Sequence, residues 1–233
     1  MKQTLYLLAF CVFTILSFNS CSKDDDGGDN PPTNETTKKL DRAYVVDTES
    51  NIENEYRFQY NEDNTIKSIV KISNQISFTM QFEYAANTIT ANASPSQGED
   101  FEVVMTFDNN ILNNFSVNNQ DIPVSFDADT NSYEILGGEL AIDEDGDALS
   151  FSSNFSIDYD TTHKGAFYDV PSSNQQLLFL LLDESYLTTI LTTKPVNSID
   201  AGVGGFDFSN TYDDQGYIET AVDESVSFEY QYE

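Results

Sequence analysis

Apolar and polar residues alternate along several short segments of this chain, and this alternation restricts the possible folds more than any other feature. Single polar residues separate Ile76, Phe78, Met80, Phe82 and Tyr84. Because successive side chains of a strand point to opposite faces, this pattern predicts a strand with one apolar and one polar face. Such strands are typical of antiparallel sheets with one face in solvent. The same pattern recurs in the segments 56–60, 101–107 and 226–232.

Turn-forming residues separate these segments at regular intervals. Asn, Asp and Gly tolerate the positive φ angles of tight hairpins, so each cluster of them predicts a hairpin. The clusters lie at residues 61–64, 86–87, 108–110, 137–138, 143–147 and 213–216. The chain is therefore predicted to be mainly β, an antiparallel up-and-down meander that is curved or barrel-like.

One segment near residues 173–192 departs from this alternation. Its leucines and isoleucines recur at spacings of three and four, and Lys194-Pro195 follows as a stop signal. This spacing predicts one helical insert. Because residues 177–182 are too continuously apolar for a surface helix, we expect the insert to pack as core against an open end or face of the sheet. A buried strand is the second interpretation, and a membrane-inserting segment is the third.

The N-terminal part of the chain is organised differently from the rest. Residues 1–20 have the basic, apolar and small-residue parts of a secretory signal peptide, and the apolar part is shorter than the ~20 residues that span a bilayer. Residues 21–38 are rich in Asp, Gly, Pro and Asn, which predicts an acidic flexible linker. Residues 39–233 are predicted to form a single β-rich domain.

The residues around Cys21 resemble the leader of bacterial lipoproteins, in which this cysteine carries the lipid. Ser20 and Cys21 match the usual box, whereas Phe18 and Asn19 depart from it in the relaxed way found in the Bacteroidota. The residues that follow resemble the acidic export signal of that phylum, and they are Ser22, Lys23, Asp24, Asp25 and Asp26. The resemblance implies a lipid anchor on Cys21 and a location in the outer membrane facing the cell exterior. An ordinary signal peptide with an incidental cysteine is the alternative.

The remainder of the chain resembles the uncharacterised surface lipoproteins of Bacteroidota. This resemblance rests on the strand–turn–strand sequence at 60–66, the Leu-rich segment that ends in Lys194-Pro195-Val196, and the closing hairpin at 212–217. It implies a predominantly antiparallel, curved or barrel-like sheet. It implies no activity.

Acidic residues greatly outnumber basic ones. The chain has 40 Asp and Glu against 10 Lys and Arg, a formal net charge of −30 at pH 7. A field of this sign repels phosphate backbones and anionic head groups, which excludes nucleic acid as a partner and argues against adsorption to membrane surfaces. The favoured interpretation of the charge is solubility at a crowded cell surface, and cation binding is the alternative.

Residues suited to catalysis are scarce, so we predict that the chain is not an enzyme. His163 is the only histidine, and no unmodified cysteine is expected in the mature chain. A catalytic triad or a zinc site needs more imidazole or thiolate than this. The role of His163 stays open at this point.

Asp143, Asp145 and Asp147 form the densest group of oxygen ligands in the sequence. Alternate carboxylates around Gly146 are chemically suited to calcium. However, Asn154 stands where a helix–loop–helix calcium site would have its glutamate. An acidic hairpin turn is therefore favoured over a calcium site, and no other cofactor is predicted.

These observations predict a non-catalytic binding or accessory protein. Its partner would be a glycan that stacks on Tyr and Phe side chains, although the absence of Trp weakens that interpretation. The alternatives are an extracellular hydrolase that uses carboxylates, and a carrier of a small apolar ligand held inside the curved sheet. An internal cavity would favour the carrier, a carboxylate pair in a cleft the hydrolase, and an exposed aromatic row the glycan partner.

Overall fold

The computed structural model describes residues 37–152, 155–171, 178, 185–202 and 204–233. Within these residues the chain forms 18 strands and one short helix, α1 (Ser185–Ile190). The strands lie in two antiparallel sheets, so the prediction of a mainly β, antiparallel fold is confirmed.

The first sheet has 11 strands and contains both ends of the described chain. In chain order they are β1 (Leu40–Asp47), β2 (Ile52–Tyr60), β3 (Ile66–Ser73), β4 (Phe78–Ala85), β5 (Thr88–Pro95), β6 (Phe101–Asp108), β7 (Ile111–Val117), β8 (Gln120–Ile122), β16 (Ser209–Tyr212), β17 (Ile218–Val222) and β18 (Val226–Tyr232).

The second sheet has seven strands and is formed by the middle of the chain. In chain order they are β9 (Val124–Asp127), β10 (Ser132–Ile135), β11 (Gly138–Ile142), β12 (Ala148–Phe151), β13 (Phe155–Tyr159), β14 (Val196–Asp200) and β15 (Gly205–Asp207).

Consecutive strands are neighbours within each sheet, and β18 also pairs with β1, so the predicted meander is confirmed. The described strands form two separate sheets and not one closed barrel. The chain passes between the sheets at two places. Pro123 lies between β8 and β9. Because proline has no backbone N–H, it cannot continue the hydrogen bonding between strands at this position. Phe208 lies between β15 and β16, and its N–H donates to the Asn197 carbonyl of β14 at 2.8 Å.

The alternation of apolar and polar residues that was predicted to form strands matches the alternation of buried and exposed side chains. In β4, Met80 and Phe82 are buried, while Gln81 and Glu83, which alternate with them, are exposed. The segments at 56–60, 101–107 and 226–232 form β2, β6 and β18 in the same way. Ile76 is the exception, because it lies before β4 and is 48% exposed.

Asparagine forms many of the hairpin turns, as the sequence predicts. Asn64, Asn109 and Asn110 adopt positive φ angles of 67°, 51° and 66°. Asn tolerates this region because its short side chain bonds locally to the backbone. Gly146 and Gly216 have positive φ in the two acidic turns.

The predicted helical insert is confirmed as a short helix, α1. The side chains of Leu187 and Ile190 are fully buried, and Leu178 is buried as well. Apolar side chains of this segment therefore contribute to the core, as expected. Residues 172–177 and 179–184 lie outside the described residues.

The described part of the chain begins next to the predicted end of the linker. The Lys38 N–H donates to Asp169 Oδ2 at 3.1 Å, and Lys38 Nζ binds Asp213. The predicted signal peptide, Cys21 and the export signal at residues 22–26 lie outside the described residues. No helix in the described ranges is both long and apolar enough to cross a membrane.

The β14–β15 hairpin gives a direct test of the fold. A Cβ atom at Gly205 would collide with the Ile199 carbonyl oxygen, whereas one at Gly204 would meet open space. We expect Gly205→Ala to lower the free energy of unfolding by about 1–3 kcal/mol, because the backbone must shift. Gly204→Ala is the matched control, with an effect below about 0.5 kcal/mol. Urea denaturation measures both, and equal effects would contradict this packing.

Candidate functional site

A cavity of about 500 Å³ lies between the two sheets and beside α1. This volume is within the range of small-molecule sites, about 300–1,000 Å³. Most of its described lining is apolar. Six aromatic residues contribute, and they are Phe151, Phe155, Tyr186, Phe206, Phe208 and Phe228. The aliphatic lining comes from Leu136, Ile199, Ala201 and Val226.

The strand periodicity directs these side chains to one place. Val226 and Phe228 are two residues apart on β18 and therefore face the same side of the sheet. Phe206 and Phe208 follow the same rule, although the chain passes from one sheet to the other at Phe208. The cavity is thus bordered by both sheets, because the chain keeps its alternation where it passes from β15 to β16.

Four of the rings form a continuous row. Phe206 stacks on Phe208 with centroids 6.0 Å apart, and Phe208 meets the edge of Phe228 at 5.7 Å. Phe228 in turn contacts Tyr186 at 6.2 Å. Phe206 is 37% exposed and Phe228 is 3% exposed, so the row leads from solvent into the interior.

The row ends at a carboxylate, Asp47, at the end of β1. The Tyr186 hydroxyl donates to Asp47 Oδ2 at 2.7 Å, and the Ser50 N–H donates to Asp47 Oδ1 at 2.8 Å. Burial acts to raise the pKa of Asp47, but these hydrogen bonds outweigh it and hold the pKa below its ordinary value. Asp47 is therefore ionised at neutral pH.

Leu136 lies in the β10–β11 turn and also contributes to the lining. It has a φ of 54° and is 57% exposed, which are both unusual for a bulky apolar residue. The turn would accept Asn or Gly at this position with less strain. Residues with a strained backbone conformation of this kind cluster at active sites and ligand sites.

Two of the three aspartates predicted as calcium ligands form ion pairs with Lys194, and the third binds Thr193. Lys194 Nζ lies 2.7 Å from Asp143 Oδ2 and 2.5 Å from Asp145 Oδ2. Asp147 is buried, and it accepts hydrogen bonds from the Thr193 N–H and hydroxyl. Within the described residues no group of three or more His, Cys, Asp or Glu is arranged to hold a metal ion. Calcium binding at this turn stays a prediction.

His163 packs against the surface of the first sheet. Its Nδ1 lies 2.6 Å from Asp160 Oδ2, which also accepts the Tyr212 hydroxyl at 2.7 Å. The imidazole and Tyr212 rings stack with centroids 3.7 Å apart. Burial acts to raise the pKa of Asp160, but hydrogen bonds from Thr162, Tyr212 and His163 hold it well below its usual range. The cluster connects the loop after β13 to β16.

The cavity residues were not singled out as a site by the sequence analysis. Phe228 was predicted to lie on the apolar face of its strand, but Asp47 and Tyr186 gave no signal of their own. They are separated by 139 residues in the chain. The alternation of Phe206 and Phe208 around Asp207 was the one signal that could have indicated this lining.

Comparison with known proteins does not assign a family. No protein-family model matches the chain, and no curated protein matches it. Among solved structures, a porin-like protein from Bacteroides vulgatus is similar over 83% of this chain and 84% of its own, with 12% sequence identity and a TM-score of 0.28. Similarity this weak supports no statement about function. Membership of the Bacteroidota surface lipoproteins therefore stays a prediction.

Asp147 predicts a measurable pH dependence of stability. Burial raises its pKa to about 6, from an ordinary 3.8, despite the hydrogen bonds from Thr193. Because the pKa of Asp147 is higher in the folded state, the protonated side chain makes its full contribution to stability below about pH 3.8. This contribution is lost as the pH rises through about 6. Relative to Asp147→Asn, we expect the free energy of unfolding to fall by about 2 kcal/mol between about pH 4 and pH 7.

Urea denaturation of both proteins across this pH range measures the effect. Glu144→Gln removes a neighbouring exposed carboxylate and is the control for net charge. A constant difference between the native chain and Asp147→Asn at every pH would contradict the burial of an ionisable Asp147.

Proposed function

We propose that this chain is a non-catalytic binding protein that holds a small apolar ligand in the cavity between its two sheets. The observation that carries the proposal is the row of four aromatic rings from Phe206 to Tyr186. Apolar cavities with a few polar groups at one end are the usual form of small-molecule sites. Of the functions predicted from the sequence, the apolar carrier has the most support.

The two other candidates have less support. Glycoside hydrolysis uses two carboxyl groups about 5–9.5 Å apart, whereas the described lining of the aromatic cavity holds one, Asp47. A second, polar cleft is lined by Asp127, Asp129, Glu134 and Glu139, but all four side chains are exposed, whereas a general acid needs a less solvated site that raises its pKa. Glycan binding would be favoured by a row of exposed aromatic residues. The exposed aromatic side chains in the described part of the chain are those of Tyr168 and Phe206, and Phe206 belongs to the cavity.

The absence of tryptophan makes ligand binding simple to measure, because a single introduced Trp is the only indole reporter. We expect Phe206→Trp to show a saturable change of emission when decanol is added, since Phe206 lines the cavity. Tyr168→Trp is the matched control, because Tyr168 is an exposed aromatic residue away from the cavity lining. Both responses are measured by fluorescence titration of each variant, as the full chain reconstituted in phosphatidylcholine vesicles. Equal responses of the two reporters, or no saturation at Phe206→Trp, would contradict the proposal.

We further infer that the domain is attached to the outer membrane by a lipid on Cys21 and faces the cell exterior. The leader before Cys21 and the acidic residues 22–26 support this inference. Several acyl chains on one residue are sufficient for a stable anchor. The net charge of −30 argues against attachment by adsorption to an anionic surface.

The anchor is tested by labelling cells with radioactive palmitate. We expect the native chain to incorporate the label and Cys21→Ala to lose it and to remain unprocessed, because the thioether forms on this sulfur. Cys11→Ala is the matched control, since Cys11 lies within the predicted signal peptide. Globomycin should block maturation of the native chain. Normal maturation of Cys21→Ala would exclude the lipid anchor.

A further inference from the structure

We propose that the ligand is a hydrophobic cation, an apolar molecule that carries an ammonium group at one end and places it on Asp47. This inference rests on the proposed function, because it names the chemical class that the cavity selects. It follows from three observations, which concern the charge of the lining, the hydrogen bonding of Asp47 and the aromatic rings beside it.

Asp47 is the one charged residue in the described lining of the cavity. It makes no ion pair with a described cationic side chain within 4.0 Å. A buried or half-buried carboxylate is stabilised by an opposite charge, and a ligand cation would supply it. The net charge of −30 also attracts cations to the domain and repels carboxylate ligands such as fatty acids.

The hydrogen bonds of Asp47 leave room for a further donor. Two hydrogen bonds of normal length reach the carboxylate, to Oδ1 from the Ser50 N–H and to Oδ2 from the Tyr186 hydroxyl, and the Ser50 hydroxyl and the Glu49 N–H act on it more weakly. An ionised carboxylate has about four acceptor positions and no donor. Asp47 can therefore accept hydrogen bonds from the N–H groups of a ligand. A ligand carboxylate would be repelled by the negative charge of Asp47 and would receive no hydrogen bond from it.

The aromatic lining also favours a cation. Tyr186 is bonded to Asp47 through its hydroxyl, and its ring contacts Phe228 at 6.2 Å. The faces of such rings attract ammonium groups by about 0.5–2 kcal/mol, more when the site excludes water. The rings of Phe208 and Phe206 continue the row and would cover the apolar tail. One site thus provides a counter-ion, neighbouring aromatic rings and an apolar lining.

The test compares three probes of equal length in the Phe206→Trp chain in phosphatidylcholine vesicles. At pH 7, decylamine is positive, decanol is neutral and decanoate is negative. We expect decylamine to bind at least about tenfold more tightly than decanoate, with decanol between them. In the double variant with Asp47→Asn, decylamine and decanol should bind within about twofold of each other.

Glu53→Gln is the matched control for charge. Glu53 is exposed on β2, in register with Val46, and removing its charge should leave the order of affinities unchanged. Retained decanol binding by Asp47→Asn shows that the cavity is intact. If all three probes bind equally, or decanoate binds most tightly, the ammonium inference is overturned while the proposed function stands. If no probe changes the emission, the proposed function itself is overturned, and this inference with it.

Discussion

The pairing of the first strand with the last is the constraint on which the rest of the structure depends. In the β1–β18 ladder, Val45 lies opposite Phe228 and Asp47 lies opposite Val226. This register places a carboxylate from the start of the domain beside aromatic residues from its end. Because the partners are nearly 180 residues apart, their contact requires the intervening meander to form. A shift by one residue would place Asp47 and Phe228 on opposite faces of the sheet, so that only one of them could face the cavity.

The second sheet completes the site by facing the first across the aromatic residues. Phe206 and Phe208 lie where the chain crosses from β15 to β16, so both sheets share the cavity wall. Rings that border an open space lose the close contacts that a filled core would provide, which costs stability. Elsewhere in the described core, side chains such as Met105 and Ile69 are fully buried. A half-open cavity of about 500 Å³ with this apolar lining has the size of a small-molecule site, which supports the proposed ligand.

Local sequence patterns predicted most of the strands and turns, because alternation and turn residues are local properties. The buried Met80 and Phe82 and the positive φ of Asn64 and Asn109 follow directly from residue type. The division into two sheets could not be predicted in this way, since it depends on which strands pair. The Asp47–Tyr186 contact joins residues 139 positions apart, and no local pattern contains it. The engagement of Asp143 and Asp145 by Lys194 is also a tertiary effect.

A crystal structure of the chain grown with saturating decylamine tests the central claim most directly, which is that the space between the sheets is a ligand site. The account predicts one alkyl chain along the rings of Phe206, Phe208 and Phe228, with its nitrogen within hydrogen-bonding distance of Asp47. A cavity closed by protein side chains, or decylamine bound only on the outer faces of the sheets, would contradict it.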